Sequence, residues 1–523
     1  MPIVQQGAIN TTALVVPDIY VQIVPPQNLV LNGVPTNRIG VVGTAQWGPV
    51  SSPTIVGSMA DYARQFGAIQ PVAFDMGTQV AICVQQGAAD FRCVRVTDGT
   101  DTKASVTILT NCLTVTALYS GTLGNSATVA IAPAAKSGFS RVTVSLAGQS
   151  PEVFDMIPTS VAATAWVNIA TAINSGNSPV RGPSQIISAS AGVGVTAVAT
   201  ASYTLTGGTN GTTTITASTL VGVDTLPRSG MYALRGQGCS LGLLADATDP
   251  TQWVTQAGFG LAEGIYMILC SAAGLAIANG STGVVDLKAT AGLDSYAAKL
   301  MHGDWLYWND QVNNLVRLVS PAAFAAGRLA NLSPEQSSLN KPLYGVIGSQ
   351  KAGVVGSGQA QTYTSADITA LLQAGIDVIC NPMPGGTYWG VRGGHNSSSN
   401  AATNGDNYTR LTNFIASTLA AGMGLYVGQV VNAELFRRIR STQMSFLQNM
   451  LSQGILGMTS AGKLPFSVVC DLSNNPDSRT SIGYVQSDAQ VKFMAINEKF
   501  IVNVEGGQTV QVNRQTLPSG QAG

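Results

Sequence analysis

Charge is scarce in this sequence. Lys, Arg, Asp and Glu make up 10% of its 523 residues, against roughly a quarter in an ordinary soluble protein, and 26 basic residues balance 26 acidic ones. That balance excludes a strongly basic nucleic-acid binder and leaves no long-range field to keep copies of the chain apart. Histidine is scarcer still. His302 and His395 are the only two, each in a Gly- or Asn-rich setting, which is too few for a zinc site built on histidines. The seven cysteines (83, 93, 112, 239, 270, 380 and 470) are scattered, with no C-x-x-C pair, so small buried thiols in a reducing compartment are expected rather than disulfides or metal ligands. No apolar run reaches the roughly 20 residues of a membrane-spanning helix. Also missing are a G-x-x-x-x-G-K-[ST] phosphate loop, a secretory n-region and h-region, and a basic stripe interleaved with aromatics. The chain is expected to start in a cytosol, with no membrane insertion, no nucleic-acid partner, no metal and no cofactor.

What is present is a long, Gly-, Ala-, Ser- and Thr-rich chain, large enough for two or three domains. "RIGVVGTA" (38–45) reads as a buried strand, and Ser58 with Asp61 forms a capping box that opens a short helix closed by Gly67. "FDMGTQVAICVQQG" reads as a helix ending at Gly87, and "FRCVRV" as the next strand, which makes an α/β beginning. From about Asp98 the character changes. Residues 100–225 hold eight charges, and 182–223 none. Short Thr/Val/Ala segments split by Gly and Asn, with one helix near "SVAATAWVNIATAIN", predict an inserted β-sandwich or barrel-like domain.

The α/β pattern resumes at "SLGLLAD", followed by a helix from Asp249-Pro250, the strand "GIYMILC", and further units up to "IDVIC". Two long helices are predicted over about 408–421 and 433–451. The expected fold is an α/β (α+β) core with an inserted β-sandwich or barrel-like domain and extended terminal strand arms. Its divisions are an N-terminal arm (1–24), core (25–98), insertion (99–225), core (226–488) and C-terminal strands (489–523).

Both ends are strand-prone. Pro17, Pro25 and Pro26 forbid a helix across "ALVVPDIYVQIVPP"; its alternation places Ile19, Val21 and Ile23 on one face and Tyr20 on the other. In "EKFIVNVEGG", Phe500, Val502 and Val504 alternate against Ile501 and Asn503. No hairpin partner lies near the N-terminal stretch, so each arm is expected to pair with a sheet on another copy.

Chemistry is thinly represented. Gly238-Cys239-Ser240-Leu241-Gly242 matches the G-x-S-x-G nucleophile elbow, but that motif needs a strand before the serine and a helix after it. Here a Gly-rich loop precedes and a strand follows, so a serine hydrolase is the least favoured reading. The polar, low-complexity run from Gly385 to Gly405 reads as a long exposed linker rather than a ligand loop. In "AELFRRIRSTQMSFLQNML", Leu435, Ile439, Phe446 and Met450 form an apolar stripe, with Arg437 pointing away from it and Arg438 and Arg440 on its flanks. These three arginines are either a solvated helix surface or a docking face for an acidic partner.

Four stretches together resemble the tail sheath proteins of contractile-tailed bacteriophages and related injection machines. "VVPDIYVQIVPP" is similar to that family's "PGVYV" arm, with Asp18 where Gly is usual. "GVPTNRIGVVGTAQWGPVSSPTIVGSMADYARQFG" resembles its strand, Gly-Pro loop and helix ending in Phe-Gly. "SGTLGNSATVAI" resembles the entry to its insertion domain, and "SPAAFAAGRLANLSPEQSSLNKPLYG" its Pro-then-Ala-Gly helix and loop. The order of these motifs covers most of the chain; the Asn/Ser-rich loop after His395 departs from the pattern. The resemblance implies a non-enzymatic virion subunit, assembled in the host cytoplasm and located in the tail. It would form stacked hexameric rings around a tail tube, knitted by its terminal arms, and contract on a baseplate signal to drive the tube through the host envelope for genome ejection. Expected partners are the chain itself, the tail tube protein, and baseplate and tail terminator proteins. The tube-facing helix would carry Arg437, Arg438 and Arg440, and the insertion would project outward. Another self-assembling virion or surface-layer subunit is the alternative.

Overall fold

The structure, a computed structural model, describes residues 33–178, 181–354, 362–458 and 462–504, together with Leu31, Gly506, Gln508 and the strand pairs at 3–4 and 21–22. Strand β1 (Arg38–Gly43) forms where the sequence runs Ile-Gly-Val-Val, and its side chains alternate between two cores: Ile39 and Val41 on one face, Val42 on the other. Strand β2 (Thr54–Val56) follows the Gly-Pro loop. Ser58 caps the helix Met59–Phe66 by accepting the Asp61 N–H at 3.2 Å, and Gly67, at φ +87°, ends it. Helix α1 (Met76–Gln85) is capped by Asp75, whose carboxylate accepts the Thr78 N–H at 2.7 Å. Strand β3 (Asp90–Arg95) closes this first block.

After the insertion the chain returns with β4 (Leu241–Leu244), helix α2 (Trp253–Glu263), β5 (Tyr266–Cys270), β6 (Ala298–Met301), helix α3 (Ala322–Ala330) and the short β7 (Ile376–Asp377). These strands make one seven-stranded sheet in the order β7-β6-β5-β4-β1-β3-β2, parallel throughout except for β2. A parallel sheet is stable when both faces are covered. Helices α1 and α3 cover one face, and α2 covers the other. The α1–α3 contact is close because a Cβ on Gly327 would stand 2.6 Å from the Cys83 Cα.

The insertion holds two antiparallel sheets. One has four strands, in the order 152–158, 139–145, 128–133 and 201–204; the other has three, in the order 187–191, 113–117 and 105–108. Their inner faces share a core that includes Val115, Val129, Val142 and Val144, with helix Ala162–Ser175 contributing Trp166, Ile169 and Ile173. Two residues from the other layer pin this unit. Trp47 is buried in the insertion's core, edge-on to Tyr119 at 5.4 Å between ring centroids. Arg95, at the end of β3, is fully buried and donates to the carbonyls of Gly48 and Ser120, each at 2.8 Å.

The C-terminal layer consists of helices α4 (Asp406–Met423) and α5 (Ala433–Ser452) and a hairpin of β8 (Phe466–Val469) and β9 (Asp488–Val491). Both helices form where apolar periodicity predicts them, α4 two residues longer at each end and α5 one residue longer at its C-terminal end. Asn432 caps α5 by accepting the Leu435 N–H at 2.8 Å.

One expectation is overturned. The run from Gly385 to Gly405 is not an exposed linker. Its strand Gly390–Val391 pairs with Ile379–Cys380, and Asn396 and Ser397 are fully buried. Ser397 is bonded to strand β6: its N–H reaches the Ala298 carbonyl at 2.7 Å, and its hydroxyl accepts the Leu300 N–H at 3.1 Å. The Asn side chains that mark low complexity here replace missing backbone partners. Asn396 Nδ2 donates to the carbonyl of Thr403 and to Thr409 Oγ1.

Candidate assembly surfaces

The apolar stripe of α5 buries Leu435, Ile439, Phe446 and Met450, which turns Arg437, Arg438 and Arg440 outward, and all three are exposed. Arg437 pairs with Glu434 one turn earlier. Arg438 donates to Gln429 Oε1 at 3.2 Å and lies 5.7 Å from the centre of the Tyr426 ring. Arg440 is one of the charges that hold Asp471 below the usual carboxylate range, after the stronger effect of hydrogen bonds from Ser473. Beside this positive face the connection between α4 and α5 exposes Val427 and Val430, each more than four-fifths accessible. Positive charge around exposed apolar side chains is the composition of a recognition rim and its centre.

Of the predicted arm residues, Ile19, Tyr20 and Ile23 lie outside the described residues. Val21 belongs to a two-residue strand that pairs in parallel with Ile3–Val4. At the other end the chain follows the protein surface after β9 without forming a strand through 504. Asn407 Nδ2 donates to the Met494 carbonyl at 3.0 Å, and Glu498 meets His395 Nε2 at 2.8 Å. Beyond that point Phe500, Ile501, Val502 and Val504 are 82%, 81%, 65% and 85% exposed. Both faces of this apolar ribbon are open. The β8–β9 pair is a two-stranded sheet, and each strand has an outer edge without a ladder partner among the described residues. A lone two-stranded sheet is marginal, and open edges accept further strands.

Ser240 does not build a nucleophile. It precedes β4, and its hydroxyl donates to the Arg38 carbonyl at 3.0 Å. His302 packs edge-on to Tyr363, and His395 is engaged with Glu498. Among the described residues no three His, Cys, Asp or Glu side chains are placed to hold a metal, and no helix is long and apolar enough to cross a membrane. All seven cysteines are free and buried.

Sequence reasoning missed the buried polar centre that anchors α4. Lys299, on β6, is fully buried, with its Nζ 2.6 Å from Asp377 Oδ2 and 3.1 Å from Asp406 Oδ1. Asp406 begins α4 and also accepts from Tyr266 OH at 2.6 Å and from Ser338. Burial alone would raise the Asp406 carboxyl; the Lys299 charge and the hydrogen bonds from Ser338, Tyr266 and Lys299 outweigh it and hold it at about 2. Burial also works against the Lys299 ammonium, but the two carboxylates prevail and its pKa is raised. Asp377 in turn accepts the N–H groups of Gly393 and Gly394, both at 2.7 Å. One cluster thus joins the sheet, the 385–405 segment and the start of α4. The sequence signal was a lone lysine inside the apolar run "YAAKLM".

No protein-family model and no curated protein sequence matches the chain. Among solved structures, the sheath tail protein of Listeria innocua matches with a TM-score of 0.60 and 14% identity over 84% of this chain and 89% of that one. The sheath tail protein of Desulfitobacterium hafniense matches at 0.57 and 16%, over 86% and 93%. A chain of the contracted helical sheath of the anti-feeding prophage matches at 0.53 and 12%, over 94% and 99%. The chain therefore has the fold of the tail sheath proteins of contractile injection systems.

Proposed function

We propose that this protein is the structural, non-enzymatic subunit of a contractile sheath, and that its particle is a bacteriophage tail. The observation that carries the reading is the sheath fold across most of the chain. What supports a tail over an extracellular injection particle is the order of the sequence motifs that resemble the sheath proteins of contractile-tailed bacteriophages. Purified native particles carrying packaged DNA would support that choice, and DNA-free particles would overturn it.

In this reading the subunit polymerises with itself as stacked hexameric rings around a tail tube and abuts baseplate and terminator proteins. The terminal ribbons supply the linkage. Residues around Ile19–Ile23 and Phe500–Val504 of neighbouring copies would add to open sheet edges, of which β8 and β9 offer two. Each added backbone hydrogen bond contributes roughly 0.5–1.5 kcal/mol net, so a strand of several residues holds while its flanks bend. Arg437, Arg438 and Arg440 would face the tube. The core (25–98 and 226–488) would move as a body, with the insertion (99–225) directed outward. Contraction would then be a rigid-body rearrangement between two packings of low-charge surfaces, the final one burying better-matched area.

Negative-stain microscopy of the purified protein tests this. Hollow tubes or rings are expected, whereas closed shells or flat lattices would identify a capsid or surface-layer subunit. Removing residues 1–24 should leave a folded, soluble subunit that no longer polymerises; an unfolded product would mean that the arm completes its own core.

A further inference from the structure

Asparagine is followed by glycine at 32–33, 210–211, 279–280 and 404–405. In such a pair the glycine nitrogen, unshielded by a Cβ, can reach the asparagine side-chain carbonyl, provided that both groups are free. Asn32 lies outside the described residues. Two of the others are held. Asn210 Oδ1 accepts the N–H and the hydroxyl of Thr122 at 2.8 and 3.0 Å, and its Nδ2 donates to Gln70 Oε1 at 3.4 Å. Asn279 Oδ1 accepts the N–H groups of Ser281, Thr282 and Gly283 at 3.2, 2.7 and 2.8 Å, and the Gly280 N–H donates to Asp286 Oδ2 at 3.1 Å. Asn404 differs. Its carbonyl accepts the Asn396 N–H at 2.7 Å, and the Asp406 N–H reaches the Gly394 carbonyl at 3.1 Å, so the chain is fixed on either side. The two groups between those bonds are not: among the described residues neither the Asn404 side chain nor the Gly405 N–H has a hydrogen-bond partner. Both residues are partly accessible to solvent.

We propose that Asn404 is a site of self-modification, at which the backbone nitrogen of Gly405 displaces the side-chain amide and water completes a deamidation. The Gly405 nitrogen gives its proton to solvent and bonds to Asn404 Cγ, while the Cγ–Nδ2 bond breaks and ammonia leaves. A five-membered imide remains. Water then adds to one of its two carbonyls: opening at Cγ yields aspartate, and opening at the main-chain carbon yields isoaspartate, in which the chain runs through the side chain. One water is consumed and one ammonia released, with no change in oxidation state. The two products differ in effect. Aspartate places a negative charge just before the first turn of α4, where a helix favours it. Isoaspartate adds a backbone carbon within the span that pairs His395 with Gly405 and delivers Asp406 to Lys299, so it pulls on the buried anchor of α4.

To test this, the full chain is aged in mildly alkaline buffer and digested with trypsin, and fragmentation of the 393–410 peptide locates the one-dalton gain. In the folded chain the gain is expected at 404 several-fold faster than at 210 and 279, and in urea the three positions should converge. Equal rates in the folded chain, or faster gain at 210 or 279, would overturn the proposal. Isoaspartate is read separately with an isoaspartate-specific methyltransferase. Label is expected in aged wild type and should vanish from this peptide in Asn404→Gln; label that survives the change counts against Asn404. Asn404→Asp reproduces the aspartate product alone and should keep the wild-type urea midpoint, whereas aged wild type rich in isoaspartate should have a lower one. An aged chain labelled at 404 with an unchanged midpoint would overturn the link to the α4 anchor.

Discussion

Two buried ionisable residues make opposite demands on pH. Asp75 spends one carboxylate oxygen on capping α1, while Oδ1 has no partner, and burial pushes its carboxyl up to about 7. The folded protein therefore keeps a proton that the unfolded chain releases at about 4. Its contribution is complete below about 4 and is lost as pH rises toward about 7. Asp75→Asn, which preserves an equally good cap, is expected to flatten that decline in denaturation midpoints measured between pH 4 and 7. Asp406 works the other way. Its carboxyl is held at about 2, so its contribution is present above about 4 and is lost as pH falls toward about 2. Lys299→Met would leave Asp377 and Asp406 without their cation, and a loss of about 3–5 kcal/mol is expected at pH 7. The deficit should shrink in acid as the orphaned Asp406 carboxylate takes up a proton; urea titrations at pH 7 and pH 4 read both effects.

Among the elements, those whose cause is local were legible in the sequence. The helices over 406–423 and 433–452 follow from 3.6-residue apolar spacing, and α1 from its apolar run closed near Gly87, although its Asp75 cap was not legible. The outward turn of the three arginines follows from the stripe, with Arg437 opposite it and Arg438 and Arg440 on its flanks. The 385–405 segment was misread because part of its order comes from partners more than 80 residues away in sequence, Ala298 and Lys299, which no local pattern encodes, and the rest from side-chain hydrogen bonds such as those of Asn396 that composition alone does not reveal. The close α1–α3 contact was hidden for a related reason: a glycine in a helix reads as weak propensity until the neighbour that needs the space is known. Such a close approach also makes a prediction. Gly327→Leu should lower the melting temperature by separating α3 from α1, because its Cβ would meet the Cys83 backbone, whereas Gly258→Leu on α2, with open space around it, should be neutral or stabilising through helix propensity.

On the scale of the whole molecule, zero net charge and a sparse charged surface suit a subunit that lives against copies of itself, and they leave the three arginines of α5 as a concentrated positive feature. If these face an acidic tube, association of wild type with tube should weaken as salt rises. A triple Gln variant should bind less at low salt and respond less to salt; co-sedimentation across a salt series measures this, and equal binding at every salt concentration would reduce the arginines to a solvated face. The insertion carries a different lesson. Its entrance and exit run side by side, with the Thr102 N–H donating to Thr209 Oγ1 at 2.9 Å, so a genetic excision between those threonines would leave stumps that rejoin with little entropic loss. Trp47 complicates that deletion, since the indole sits in the core that would be removed. A lineage that sheds this module must recode position 47 in the same step or inherit a greasy scar on the outside of every subunit.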